Sequence, residues 1–274
     1  MKKSQNTLGI VAGGGALPKA VIESARRQKR AVCVLALKGQ AEADILSGVD
    51  GAWIGLAQIG KAIKLFRKAG VTDVVFIGGV RRPSVAEIWP DWKAFLMLIK
   101  VGFRLMGDDG LLKIILGEAE KQGFHVVGVH TLMPELVAGV GVYGQVKPDS
   151  EDEKDIRQGC RVAKLLGQAD VGQAVIVQHG LVLAVEGIEG TAALIKQTAT
   201  LKRKGAGGVL VKVSKPQQDR RVDLPTVGPK TVQAVFDAGF RGIAVEQGST
   251  LMVDVAEMIK LADKLGDFVV GVKC

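Results

Sequence analysis

The chain has 274 residues, 47% of them hydrophobic, a net charge of +9 at pH 7 and three cysteines. That length suits one large or two medium domains, and the apolar share is ample for a core, an aliphatic one with only 4% aromatics. The isolated Cys33, Cys160 and Cys274 point to reduced thiols and away from a disulfide framework or a zinc site, and His125, His130 and His179 share no metal-ligand spacing.

No apolar run reaches the ~18 residues that a membrane span needs. The start, Met1 to Thr7, is polar and the apolar run after it breaks at Gly13-Gly14-Gly15, so no secretory leader is expected. The positive charge suits a phosphorylated small molecule or an anionic membrane face. Nucleic acid is not expected, because there is no helix-turn-helix, zinc-finger or RNP-type pattern and no basic stripe interleaved with aromatics.

Leu8 to Ala12 (LGIVA) reads as a buried strand, Gly13-Gly14-Gly15 as a turn, Leu17 to Gln28 as a helix with Pro18 in its first turn, and Ala31 to Leu37 as a second buried strand. This is a βαβ opening. Glycines there let backbone N–H groups meet a phosphate, and equally make a tight turn. It is not a dinucleotide fingerprint, since Pro18 stands at the third glycine, nor a P-loop, since no Gly-Lys-Ser/Thr follows. Gln58 to Ala69 is an amphipathic helix, and Asp73 to Ile77 a strand that ends at Gly78-Gly79-Val80-Arg81-Arg82-Pro83, an anion-tolerant loop or a turn with surface arginines.

Asp91 to Met106 is the most hydrophobic helix candidate, a core helix or one that touches acyl chains. Leu111 to Gln122 is another helix, with Asp108 or Asp109 as its cap, and Phe124 to Val129 a fourth strand. Strand–helix alternation then lapses into Gly, Pro and charge. We therefore expect an N-terminal Rossmann-like βαβ domain over 1–134, a linker over 135–150 and a C-terminal catalytic mixed α+β domain over 151–274. The second half has helices at Glu151 to Leu166 and Ala192 to Lys202, a hairpin of Ala174 to Gln178 and Leu181 to Val185 about His179-Gly180, a strand Gly208 to Val213, and a closing strand Phe268 to Val272.

The most informative stretch is Gln217 to Val232, QQDRRVDLPTVGPKTV, between a strand-like and a helix-like run. Strand, polar loop, helix is where α/β proteins place chemistry. Asp219 and Asp223 enclose Arg220 and Arg221. Arginine forks hold phosphate, and carboxylates hold a hard cation or orient water. Together they suggest metal-assisted phosphate chemistry.

Several segments together resemble one family: Ile10-Val11-Ala12-Gly13-Gly14-Gly15-x-Leu17-Pro18, Gly79-Val80-x-Arg82-Pro83, Gly107-Asp108-Asp109, Asp170-Val171-Gly172-Gln173, Glu186-Gly187-x-Glu189-Gly190-Thr191 and Gln218-Asp219-Arg220-Arg221-Val222-Asp223-Leu224-Pro225. The chain resembles the LpxI-type UDP-2,3-diacylglucosamine pyrophosphatases of lipid A biosynthesis over nearly its whole length. The resemblance implies a two-domain Mg²⁺-dependent hydrolase in which water attacks the β-phosphorus of UDP-2,3-diacylglucosamine, giving 2,3-diacylglucosamine 1-phosphate (lipid X) and UMP. It implies a cytoplasmic protein, peripheral at the inner face of the inner membrane. Asp223 matches the acid this family needs for catalysis, as Mg²⁺ ligand or as the base that orients water. Asp219 is the second catalytic candidate. Lys212, Arg220, Arg221 and Arg82 are candidates to neutralise phosphate, and Thr131, Gln173 and Thr191 to bind phosphate or sugar hydroxyls. Gly13, Gly14 and Gly79 are candidates for backbone contacts to the substrate. After Gly190-Thr191 the family often carries an acid, and Ala192 stands here. The alternative is a non-catalytic protein that binds nucleotide-sugars or anionic lipid. A homodimer is expected on base rate.

Overall fold

The computed structural model describes residues 6–80, 108–205 and 207–274. Arg82 and the helix expected at Asp91 to Met106 lie outside them. The chain is α/β and divides into two units, between Met133 and Pro134.

In the first unit β1 (Thr7–Ala12), α1 (Leu17–Arg27), β2 (Val32–Leu37), β3 (Gly51–Ile54), α2 (Ile59–Lys68), β4 (Val71–Ile77), α3 (Asp108–Lys121) and β5 (His125–Val126) build a parallel sheet in the order β3-β2-β1-β4-β5. β1 lies between β2 and β4, Ile10 pairing with Val34 and Val75, and all three residues are inaccessible. Continuous apolar runs are what such a doubly covered central strand requires. The weakly apolar GAWI of β3 is an edge, which is why strand-like periodicity does not announce it.

In the second unit β6 (Gly141–Tyr143), α4 (Ser150–Gln168), β7 (Ala174–Gln178), β8 (Leu181–Val185), α5 (Thr191–Thr198), β9 (Val209–Lys212), β10 (Thr226–Val227), α6 (Pro229–Asp237), β11 (Gly242–Glu246), β12 (Leu251–Met252), α7 (Val255–Leu265) and β13 (Phe268–Val272) follow. Six strands form a mixed sheet in the order β6-β13-β11-β9-β7-β8, and β10 pairs with β12 separately. The strand β6 falls within 135–150, the stretch expected as a linker, and pairs antiparallel with β13.

Strand alternation assigns the two faces of this sheet. Ile176, Leu210, Ile243, Val245 and Val269 turn to a core shared with Leu194, Val232, Val235, Met258 and Ala262 of α5, α6 and α7. Val175, Val177, Val209, Val211, Ala244, Phe268 and Val270 turn the other way, onto Ile156, Cys160 and Ala163 of α4. Period-2 strands between helices with one apolar face give this three-layer packing. Asp149 opens α4 by accepting from the N–H groups of Glu151 and Asp152, both at 2.9 Å, and Asp152 returns the bond to the Asp149 N–H at 3.0 Å.

The expectation of three reduced thiols is corrected here. Cys160 and Cys274 form a disulfide, their Cα atoms 5.2 Å apart, and only Cys33 is free, and buried. The partners lie 114 residues apart in sequence. Packing of α4 over β13 brings them together, and local spacing carries no trace of it. Among the described residues no helix is long and apolar enough to cross a membrane.

Candidate active site

The second unit gathers charge at one end of its sheet. Lys212 is the last residue of β9, and β7 runs antiparallel beside it with Ala174 opposite Lys212. Gln173, just before β7, therefore lies at the same end, its carbonyl accepting from the Val213 N–H at 2.9 Å. The hairpin returns through β8, and Glu186, just past that strand, donates its N–H to the Ala174 carbonyl at 2.8 Å. Antiparallel register thus puts Gln173, Glu186 and Lys212 side by side, although they span 40 residues of chain.

Hydrogen bonds join them. Glu186 is 6% exposed; its carboxylate accepts from the Gln173 N–H at 3.1 Å and from the Thr191 hydroxyl at 2.5 Å. The Lys212 ammonium, 7% exposed, donates to Thr191 Oγ1 at 2.9 Å and to the Thr226 carbonyl at 3.2 Å. Burial pushes the Lys212 pKa down, while the nearby negative charges of Glu186 and Asp223 pull it back up. A buried ammonium persists only with such compensation. Gly172 makes the arrangement possible, because a Cβ there would stand 2.0 Å from the Glu186 carbonyl oxygen.

The loop after β9 supplies the rest. Asp219 starts a helical turn, its carbonyl accepting from the N–H groups of Val222 and Asp223 at 3.0 Å each. Asp223 is half-buried, and its Oδ2 accepts from Gln218 Nε2 at 2.6 Å. The same Gln218 nitrogen reaches Gln173 Oε1 at 3.1 Å.

Of the residues singled out from sequence, the structure brings together Gln173, Thr191, Lys212 and Asp223. Asp219 and Arg221 engage each other, guanidinium to carboxylate at 2.7 Å and the Arg221 N–H to Asp219 Oδ1 at 3.0 Å, which staples the turn. Arg220 is exposed and donates to the Gly248 carbonyl. In the first unit the N–H groups of Gly13, Gly14 and Gly79 are engaged within the fold, Gly13 to Ile77 O at 2.8 Å, Gly14 to Gly79 O at 2.8 Å and Gly79 to Gly14 O at 2.9 Å. Close approach of the two turns explains the first glycine, where a Cβ would meet Gly79 O at 2.6 Å. Thr131 is exposed in the single helical turn Val129–Leu132 of that unit.

Sequence reasoning passed over Glu186 and Gln218 as site residues. The available signal was the β7–β8 hairpin, which predicts that the residue after β8 returns to the one before β7. Glu186 also puts a carboxylate on Thr191, the residue before Ala192.

The fold and this network define a two-unit α/β protein with a buried lysine among acidic groups at one sheet end. The LpxI N-terminal domain matches residues 7–136, and the LpxI C-terminal domain residues 139–270. The UDP-2,3-diacylglucosamine pyrophosphatase LpxI of Caulobacter vibrioides is 40% identical over 273 residues, covering 97% of each chain. The chain belongs to the LpxI family.

Proposed function

We propose that this chain hydrolyses the pyrophosphate of UDP-2,3-diacylglucosamine to 2,3-diacylglucosamine 1-phosphate and UMP, as a step of lipid A biosynthesis. The observation that carries this reading is Asp223, held by Gln218 at 2.6 Å beside a buried lysine, in a relative-length match to a pyrophosphatase of that name.

The chemistry needs three things of the chain. The pyrophosphate bridge is dianionic and repels an incoming oxygen nucleophile, so cationic groups must offset its charge. Lys212 supplies a buried positive charge, whose field reaches Asp223 and Glu186. A carboxylate must aim a water at phosphorus, and Asp223 is that group. As the water oxygen bonds to the β-phosphorus, the bridging P–O bond breaks, UMP departs with the bridging oxygen, and the water proton is released. Thr191 and Gln173 fix the surroundings through Glu186 and Gln218 and so hold the reacting groups in one geometry.

Mg²⁺ fits this donor set in one way. No group of three or more His, Cys, Asp or Glu able to hold a metal occurs among the described residues. Mg²⁺ commonly takes one or two protein carboxylates and fills its shell with water and substrate phosphate. Asp223 would hold it, and the ion would supply further neutralisation of phosphate charge. The substrate's acyl chains and the +9 charge favour work at an anionic membrane face.

The test is product analysis. Purified protein incubated with UDP-2,3-diacylglucosamine should release UMP with Mg²⁺ and lose that activity in EDTA. Tight calorimetric binding of the lipid nucleotide without turnover, under any divalent metal, would instead make the chain a binding protein.

A further inference from the structure

We propose that Gln218 is a positioning residue for Asp223, acting on the reaction only through that carboxylate; this rests on the function proposed above. Gln218 is 8% exposed, so its amide cannot turn to water for partners. Its Oε1 accepts from the Lys215 N–H at 3.0 Å. That contact fixes which way the amide faces, because an amide nitrogen there would set donor against donor. Nε2 must then point the other way, where it meets two acceptors, Asp223 Oδ2 at 2.6 Å and Gln173 Oε1 at 3.1 Å. Each end of the amide is therefore matched, and the orientation has no competitor.

The consequence concerns Asp223. A half-buried aspartate side chain on a loop has rotamers to choose from, and a misplacement of about 1 Å at the reacting centre costs about 100-fold in rate. A charge-assisted hydrogen bond from a fixed amide selects one of those rotamers. The backbone adds to this: Asp223 sits at the end of the turn begun by Asp219, and Gln218 precedes that turn, its own N–H donating to the Lys215 carbonyl at 3.2 Å. One short segment thus carries the carboxylate and the amide that aims it. The further link to Gln173 ties this segment to the hairpin that carries Glu186.

Two variants test the assignment. Gln218→Glu keeps side-chain length and the oxygen that receives the Lys215 N–H, but replaces the donor facing Asp223 with an acceptor. Gln218→Leu removes both polar ends. Steady-state kinetics with UDP-2,3-diacylglucosamine should show kcat reduced about 10- to 100-fold in Gln218→Glu with KM within about threefold of wild type. Calorimetry should show that substrate affinity in an Asp223→Ala background is unchanged by the added Gln218→Glu substitution. Gln218→Leu should lose kcat likewise; if it does not fold, Gln218→Glu alone decides. A Gln218→Glu enzyme with wild-type kcat, or one whose loss lies in KM, overturns the assignment. Wild-type and Asp223→Ala proteins run alongside separate the two failures: no UMP from wild type sinks the proposed activity, whereas an active wild type beside an equally active Gln218→Glu sinks only the role of Gln218.

Discussion

Asp267 should make this protein less stable as the pH rises from 4 to 7, and Asp267→Asn should remove that loss. The side chain is 5% exposed, and its Oδ2 is buried without a hydrogen-bond partner among the described residues. Arg241, whose charge acts on it, is already engaged by Asp152 at 2.9 Å and Asp149 at 3.3 Å. Burial therefore wins over the attraction of Arg241 and pushes the Asp267 carboxyl from an ordinary 3.8 up to about 6. The folded state then holds this proton more tightly than the unfolded state. The stabilisation it brings is complete below the ordinary value near 3.8 and is lost as pH rises through about 6. A displacement of that size corresponds to about 3 kcal/mol at most. Asparagine reproduces the shape of the neutral acid without the charge. Urea unfolding followed by circular dichroism, at steps from pH 4 to 8, should show the variant equal to wild type at pH 4 and about 2 to 3 kcal/mol more stable at pH 8. Parallel stability curves for the two proteins across that range would refute the reasoning.

Gly172→Ala places a Cβ 2.0 Å from the Glu186 carbonyl oxygen, so the hairpin end must move; we expect turnover at least about tenfold lower and a stability loss of about 1 to 3 kcal/mol, read by kinetics and thermal melting. Lys212→Met leaves Glu186 and Asp223 without their buried counter-charge and should cost about 3 to 5 kcal/mol, while adding Glu186→Gln to it should recover part of that loss in a double-mutant cycle of melting temperatures. Thiol titration of the denatured, unreduced protein should find one free cysteine, Cys33, and three after reduction; reduction should also lower stability by about 4 kcal/mol, because the bridge closes a loop of 114 residues.

The layers were legible because apolar alternation and helix periodicity act locally. Ile176 and Leu210 face one way and Val175, Val177 and Val211 the other, as their positions along β7 and β9 require. Short elements escaped for the same reason: β10 and β12 have two residues each and exist only because they pair with each other. In the site, the motif around Asp223 forms the loop after β9, yet opposite charges four residues apart do not say who meets whom. Arg221 turns back on Asp219, and Asp223 accepts a hydrogen bond from the uncharged Gln218. Glu186 and the Cys160–Cys274 bridge depend on register and packing between distant segments, which spacing along the chain does not encode.

The most direct measurement is UMP release from UDP-2,3-diacylglucosamine by the wild-type protein and by Asp223→Ala, with folding checked by circular dichroism. The account predicts Mg²⁺-dependent release by wild type and a loss of at least about 1,000-fold in a folded variant. Release by Asp223→Ala at the wild-type rate would contradict it.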